Sequence, residues 1–236
     1  MIYRFSNRIS GCLLTAVALM QLIPALKANV PGAKVSQSAG NANPTVLPPG
    51  SAPHGHTYAE WSEKWWQYVF ALPVDHNPIA GADCGNGQSG QVWFLVAGPT
   101  TVNCAVPAGK ALFFPIINSE CSSLEAPPFF GATPADRLAC AKSFIDSVTF
   151  LAAMVDGVAI QNLIAYRFRS PDFTFTVPDN NILGVPGPVS GQSTADGYYL
   201  MLAPLSAGHH TIHVMGTLTF GGVFSIDTTF TLTAGQ

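Results

Sequence analysis

Residues 210–232 read HTIHVMGTLTFGGVFSIDTTFTL, and this stretch decides the fold class. Apolar and polar side chains alternate along it, which is typical of strands that are buried on one face only. The pattern predicts two strands, at 210–220 and 224–232.

Similar short segments, each bounded by glycine or proline, extend through much of the chain. They predict further strands at 92–97, 101–106, 111–117, 150–155, 158–163, 173–177 and 198–202. Asp156-Gly157 favours a two-residue hairpin turn, because both residue types tolerate positive φ. A β-α-β alternation is missing from the pattern. We therefore predict an all-β fold, a two-sheet sandwich of immunoglobulin-like or jelly-roll-like type with two helical insertions; a closed barrel is the alternative.

The two helical insertions have recognisable starts. Thr57 and Glu60 match a capping box, so the first helix is expected from there to about Ala71. Its apolar residues recur at spacings of three and four, while Trp66 falls outside their face and needs a second packing surface. The second helix is predicted at 134–148, because proline is favoured at a helix start.

The N-terminal region predicts export. Residues 1–28 resemble a signal peptide, with basic residues at the start followed by an apolar run that is too short to span a bilayer. Residues 29–56 are rich in proline, glycine and serine and are expected to form a flexible leader. Residues 57–236 are then a single β-rich domain, with a periplasmic or secreted location and no membrane span in the mature chain.

The mature chain would keep four of the five cysteines. In an oxidising compartment this number suggests two disulfides, and we favour the local pairs Cys84 with Cys104 and Cys121 with Cys140. The rival interpretation is a metal site, but the two-residue spacing usual for zinc is missing.

Composition limits the partners. Charged residues make up 10% of the chain, where about 25% is ordinary. Basic residues are not clustered, so nucleic acid is not expected as a ligand.

The string Glu60-Trp61-Ser62-Glu63-Lys64-Trp65-Trp66-Gln67-Tyr68 resembles the start of a group of secreted bacterial proteins that have no assigned activity. The segments at 90–95, 106–115, 195–199 and 204–213 resemble the same group. The resemblance implies export and a single domain, and it implies no particular activity, cofactor or site.

The histidines are the sharpest chemical feature, because three of the six lie within residues 209–213. On a strand, His209 and His213 share one face and His210 lies on the other. Since i and i+4 on a strand lie roughly 13 Å apart, these two cannot share one metal ion. His210 or His213 could act in acid–base chemistry with Glu120 or Asp196; the alternative is that they bond backbone groups or line the sheet.

Aromatic residues are the candidate ligand-binding set. Trp61, Trp65 and Trp66 on the first helix, with Phe129 and Phe130 in a proline-rich loop, could line a pocket for a small apolar molecule or a carbohydrate. The alternative is that these rings form the core. The two phenylalanines would then be a plug over the core rather than a lid.

Three functions remain open from the sequence. The first is an exported, disulfide-stabilised binding or surface-structure protein. The second is a small cofactor-free hydrolase or lyase that uses the histidines and carboxylates. The third is a copper-handling protein, for which His54 and His56 are further candidates. Motifs for common hydrolases, zinc peptidases and phosphate-binding loops are missing, so no cofactor is expected.

Overall fold

The computed structural model describes residues 45–98 and 100–235. Within these residues there are two α-helices, α1 (Tyr58–Ala71) and α2 (Pro134–Asp146). The strands are β1 (Val92–Phe94), β2 (Thr101–Val106), β3 (Ala111–Ser122), β4 (Val148–Val155), β5 (Val158–Ala159), β6 (Arg167–Arg169), β7 (Phe173–Val177), β8 (Val189–Leu202), β9 (Gly208–Leu218) and β10 (Phe224–Ala234).

The strands form two sheets of five. Sheet one has the order β1-β3-β8-β6, with β7 also paired to β8, and sheet two has the order β2-β10-β9-β4-β5. The pairs β1-β3 and β2-β10 are parallel and the other pairs are antiparallel. The predicted two-sheet sandwich with two helical insertions is therefore confirmed. The two parallel pairs, which make the sheets mixed, were not predicted.

The alternating residues of β9 and β10 form the inner face of sheet two. Ile212, Val214, Phe230 and Leu232 have no exposed surface. The ring of Phe230 lies 6.2 Å from that of Phe114 on β3, so the two sheets pack directly on each other. Because side chains alternate along a strand, burying this set turns the intervening polar residues of both strands toward the outside.

Helix α1 covers the other face of sheet one. It begins with the predicted capping box, in which Thr57 and Glu60 bond each other's backbone N–H. Phe70 stacks on Phe175 of β7 at 4.2 Å between ring centroids. Trp66 contacts the rings of Trp65 and Phe70 on the same helix. It is nevertheless only 1% exposed, so it is covered as the sequence required.

Helix α2 is attached to β3 and β8. Its capping box joins Thr133 and Asp136. Arg137, which is 3% exposed, donates two hydrogen bonds to the Asp172 carboxylate, at 2.8 and 2.7 Å. A buried guanidinium is tolerated there because a carboxylate neutralises it and two backbone carbonyls accept hydrogen bonds from its Nη1.

Both predicted disulfides are confirmed. Cys84 bonds Cys104 and Cys121 bonds Cys140, with sequence separations of 20 and 19 residues. The first bond ties a loop to β2, and the second ties α2 to β3. Paired cysteines of this kind indicate that the chain folds in an oxidising compartment.

The N-terminal boundary of the domain needs correction. Val46, which the sequence placed in a flexible leader, is 3% exposed and pairs with Leu202 at the end of β8. The Tyr58 hydroxyl donates to the Leu47 carbonyl, and Trp61 Nε1 donates to that of Pro53. Residues 45–56 are thus part of the packed domain. The predicted signal peptide and residues 29–44 of the predicted leader lie outside the described residues.

Several element boundaries also differ from the predictions. The second helix ends at Asp146 rather than 148, because Val148 already pairs with Leu218 in sheet two. Strand β6 was not predicted, since three residues are too few to show a period. The Asp156-Gly157 turn is present, with φ of 50° and 77° at its two residues. The helices of the described residues are not long and apolar enough for any of them to cross a membrane.

The bond between Cys121 and Cys140 is expected to contribute substantially to stability. Replacing both by alanine removes a cross-link over 19 residues. The loop-entropy model gives a decrease of about 3 kcal/mol in the free energy of unfolding. Urea denaturation monitored by tryptophan fluorescence measures it, with Lys142→Ala on the same helix as the control. An unchanged free energy of unfolding would contradict the expectation.

Candidate functional site

The three tryptophans predicted to bind a ligand are core residues. Trp61, Trp65 and Trp66 are 8%, 2% and 1% exposed. Trp65 Nε1 donates to the Leu95 carbonyl at 3.0 Å, which joins α1 to the segment after β1. These rings are therefore packed between α1 and sheet one and do not line an open groove.

The Phe129–Phe130 loop closes the core beside a disulfide. Phe129 stacks on Phe144 of α2 at 4.9 Å with nearly parallel rings. Backbone hydrogen bonds from Ser122 to Phe129 and from Gly131 to Ser122 fix the loop to the end of β3. Phe129 thus has the position of a plug rather than a lid, whereas Phe130 is 45% exposed.

Glu120 is fully buried on β3. Its Oε2 lies 2.6 Å from the Ser193 hydroxyl, whereas Oε1 has no hydrogen-bond partner among the described residues. Burial raises the pKa of Glu120 well above its ordinary value, and the nearby Glu125 carboxylate raises it further. The surroundings of Glu120 therefore favour the neutral form of its carboxyl group.

Asp196 is also fully buried, on β8, and is paired with Arg167. The guanidinium donates two hydrogen bonds to it, at 3.0 and 2.7 Å, and one to Asp146 at the end of α2. This pairing raises the pKa of Arg167 above its ordinary value. A carboxylate held this way fixes β6 and α2 to β8.

The predicted pairing of His210 or His213 with Glu120 or Asp196 is not what the structure contains. Both histidines lie on β9 of sheet two, whereas the two carboxylates lie on β3 and β8 of sheet one. Each of the four residues has another partner. The two acids missed by the sequence reasoning are Asp156 and Asp227, which reach the histidines only through the register of β4 and β10 on β9.

His210 is held between two acceptors. Its Nδ1 donates to Asp156 Oδ2 at 2.7 Å, and its Nε2 lies 3.0 Å from the Ser206 carbonyl and 3.3 Å from the Ser206 hydroxyl. Because a carbonyl only accepts, the Nε2 contact at 3.0 Å requires a proton on that nitrogen as well. The hydrogen bond to Asp156 raises the pKa of His210 above its ordinary value. The geometry thus favours an imidazolium that clamps the hairpin turn to β9.

His213 lies on the outer face of sheet two. Its Nε2 donates to Asp227 Oδ1 at 2.7 Å, and His213 is directly opposite Thr229 of β10. His209 lies on the same face, with its Nδ1 at 3.4 Å from the Thr233 hydroxyl. Both imidazoles are therefore part of a continuous polar surface.

The histidines do not form a metal-binding cluster. Throughout residues 45–98 and 100–235, groups of three or more histidine, cysteine, aspartate or glutamate side chains placed to hold a metal ion are absent. His54 Nδ1 donates to the Gln91 side chain, and the His56 ring packs edge-on against Trp61. These contacts give the two histidines a structural role at the start of α1.

The outer face of sheet two carries five uncharged polar side chains in one block, on β2, β10 and β9. Register places Thr101 of β2 beside Thr229 of β10, and Asn103 beside Thr231, which in turn is opposite Thr211 of β9. These five side chains have no hydrogen-bond partner within the described part of the chain, and four of them are exposed while Thr229 is half-buried. We call them the polar block.

The polar block was missed by the sequence reasoning, although part of its signal was present. Thr229, Thr231 and Thr233 alternate with buried residues along β10, which predicts one hydroxyl-lined face. The contribution of β2 depends on its parallel pairing with β10. That pairing joins segments more than a hundred positions apart, and no local pattern reveals it.

Comparisons with known proteins add little. No family model matches the chain, and no curated protein matches it. Among solved structures, the chain is similar to the solution structure of Amebosin, with 10% identity over 62% of this chain and 99% of that chain. The TM-score is 0.19, so this likeness carries no argument about fold or function.

The pKa of His210 should depend on Asp156. In the native protein the imidazole should titrate above its ordinary value of 6.5, and Asp156→Asn should lower its pKa. Asp227→Asn, which removes the partner of His213, is the matched control and should leave His210 unchanged. Histidine titration by NMR measures both. Equal titration of His210 in the native protein and in Asp156→Asn would contradict the clamp.

The pair of His210 and Asp156 also makes the stability of the protein depend on pH, in a direction that the two pKa shifts determine. Partial burial opposes ionisation of Asp156, but the hydrogen bonds from His210 and Thr211 outweigh it and lower its pKa. The contribution of His210 is complete below its ordinary pKa and disappears as pH rises through its raised pKa. That of Asp156 disappears as pH falls through its lowered pKa. The clamp therefore stabilises most between the ordinary values of 3.8 and 6.5.

Proposed function

We propose that this protein is an exported, disulfide-stabilised β-sandwich that acts as a binding module, with the outer face of sheet two as its binding surface. The observation that carries the proposal is the polar block, whose five side chains are neutral, adjacent and unpaired within the described residues. Polar groups of this kind keep their hydrogen-bonding capacity available for a ligand.

The position of the polar block on paired strands supports the proposal. β9 and β10 pair continuously over eleven residues, from Gly208 with Ala234 to Leu218 with Phe224. Their inner residues are packed against sheet one, so the outer side chains project from a rigid base. A rigid site loses little conformational entropy when it binds.

The distribution of the other candidate residues supports binding over catalysis. The aromatic rings of α1 are buried, and Glu120 and Asp196 have structural partners. In acid–base chemistry, each catalytic group must lie within hydrogen-bond reach of the substrate atom whose proton it transfers, directly or through one water. The four catalytic candidates that the sequence suggested are divided between two sheets.

A charge-pair variant tests the binding face. Thr231→Lys with Thr211→Glu places opposite charges on directly opposed residues, which sheets tolerate well, and fills the polar block with long side chains. The native protein and the variant are compared on an array of neutral and anionic polysaccharides and phospholipid vesicles. Each ligand that the native protein binds should bind the variant at least about tenfold more weakly, because the hydroxyls are lost and their space is filled.

The matched control for that variant lies on sheet one. Thr174 and Gln192 are directly opposed on β7 and β8, so Thr174→Lys with Gln192→Glu makes the same charge pair away from the proposed face. This control should bind like the native protein. Native-like binding by the sheet-two variant, at an unchanged melting temperature, would contradict the proposed binding face.

A hydrolase is the second candidate, because Ser206, His210 and Asp156 are in contact in the order of a catalytic triad. It ranks second because His210 Nε2 is closer to the Ser206 carbonyl than to the hydroxyl. An imidazolium that donates to a carbonyl has no lone pair to accept the proton of a serine nucleophile.

Labelling with a fluorophosphonate probe separates the two candidates. The binding-module account predicts that Ser206 is not labelled, at neutral pH or at alkaline pH where His210 loses its proton. Labelling that disappears in Ser206→Ala and persists in Ser225→Ala, an exposed serine on β10, would contradict it and identify Ser206 as a nucleophile.

A further inference from the structure

The outer face of sheet two is almost free of charge. Its five strands contain no lysine, arginine or glutamate, and their single acidic residue is Asp227. The Asp227 carboxylate accepts a hydrogen bond from His213, which is on the same face. Ligands that are recognised through ion pairs, such as polyanions or anionic membranes, find no set of complementary charges here.

The hydroxyl groups of the face suit a ligand that both donates and accepts hydrogen bonds. Each threonine hydroxyl can do both, and Asn103 offers a carbonyl oxygen together with an NH₂ group. The polar block repeats at about 4.8 Å between strands and about 6.7 Å along each strand. A regular two-dimensional array of this kind matches a polymer that presents many hydroxyl groups at regular intervals.

An apolar strip lies beside the polar block on β4 and β9. Met154 is directly opposite His213, and Met215 is opposite Asp227 and Ala152. Phe150, opposite Thr217, is 50% exposed. A sugar ring has an apolar face of C–H groups and a rim of hydroxyls, so this combination of surfaces offers contacts to both parts of it.

We infer that the ligand of this face is a neutral polysaccharide, bound as an extended chain across the polar block with ring faces against Met154, Met215 and Phe150. The inference rests on the proposed function, because it names the ligand of the same face. A second copy of the chain and a charged polymer are the other occupants to distinguish, and the experiment below includes both.

The first arm of the experiment measures binding to insoluble neutral polymers: cellulose, chitin and a β-1,3-glucan. Thr229→Val with Thr231→Val removes two hydroxyls of the polar block and keeps shape and strand preference. Binding of at least one polymer should weaken roughly thirtyfold, since each of the two lost hydrogen bonds contributes about 1 kcal/mol net. Thr174→Val with Thr176→Val on β7 is the matched control and should bind like the native protein.

The second arm compares cellulose with its soluble carboxymethylated derivative. Binding to the neutral polymer should change little between roughly 0.1 M and 1 M salt, because no charge pair is involved. The charged derivative should bind no more tightly than neutral soluble cello-oligosaccharides.

The outcomes separate the inference from the proposed function. Two results would overturn the neutral polysaccharide as the ligand but leave the binding face in place. The first is a preference for the charged polymer. The second is concentration-dependent dimerisation in sedimentation experiments that the Thr231→Lys/Thr211→Glu variant abolishes. If the native protein binds none of the neutral polymers, the inference of a neutral polysaccharide ligand is likewise overturned. Polymer binding that survives all the sheet-two substitutions would overturn both the inference and the binding face.

Discussion

The packing of sheet two onto sheet one is the constraint on which the rest of the structure depends. Phe230 and Leu232 of β10, with Ile212 and Val214 of β9, are fully buried against sheet one, and Phe230 faces Phe114 across the interface. A register shift of one residue would expose this whole apolar set, so the parity of both strands is fixed. The threonines and His213 face outward as a consequence of that parity.

Sequence reasoning succeeded where the signal was local. The capping box at Thr57 and Glu60, the turn at Asp156-Gly157 and the pairing of cysteines about twenty positions apart all involve neighbours along the chain. Alternation along 210–232 predicted the sandwich for the same reason. The need of Trp66 for a second surface also followed from helix geometry alone.

Sequence reasoning failed where a contact depended on which strands pair. Asp156 and Asp227, rather than Glu120 and Asp196, bond the histidines, because β4 and β10 flank β9. Val46 is part of the domain because it pairs with Leu202, and the amino-acid composition of residues 29–56 does not reveal this long-range contact. The tryptophans are buried in the core, so the exposed side chains available to a ligand on sheet two are mainly threonines. Threonine forms no distinctive sequence motif.

Residue-resolved NMR can show directly whether a neutral polymer binds on the outer face of sheet two. Adding a soluble neutral β-glucan oligosaccharide to labelled protein should shift the amide and threonine methyl signals of Thr101, Thr211, Thr229 and Thr231. The signals of the loop containing Phe129 and of Ser206 should not move. Shifts confined to that loop or to Ser206, with the four threonines unchanged, would contradict binding on the outer face of sheet two.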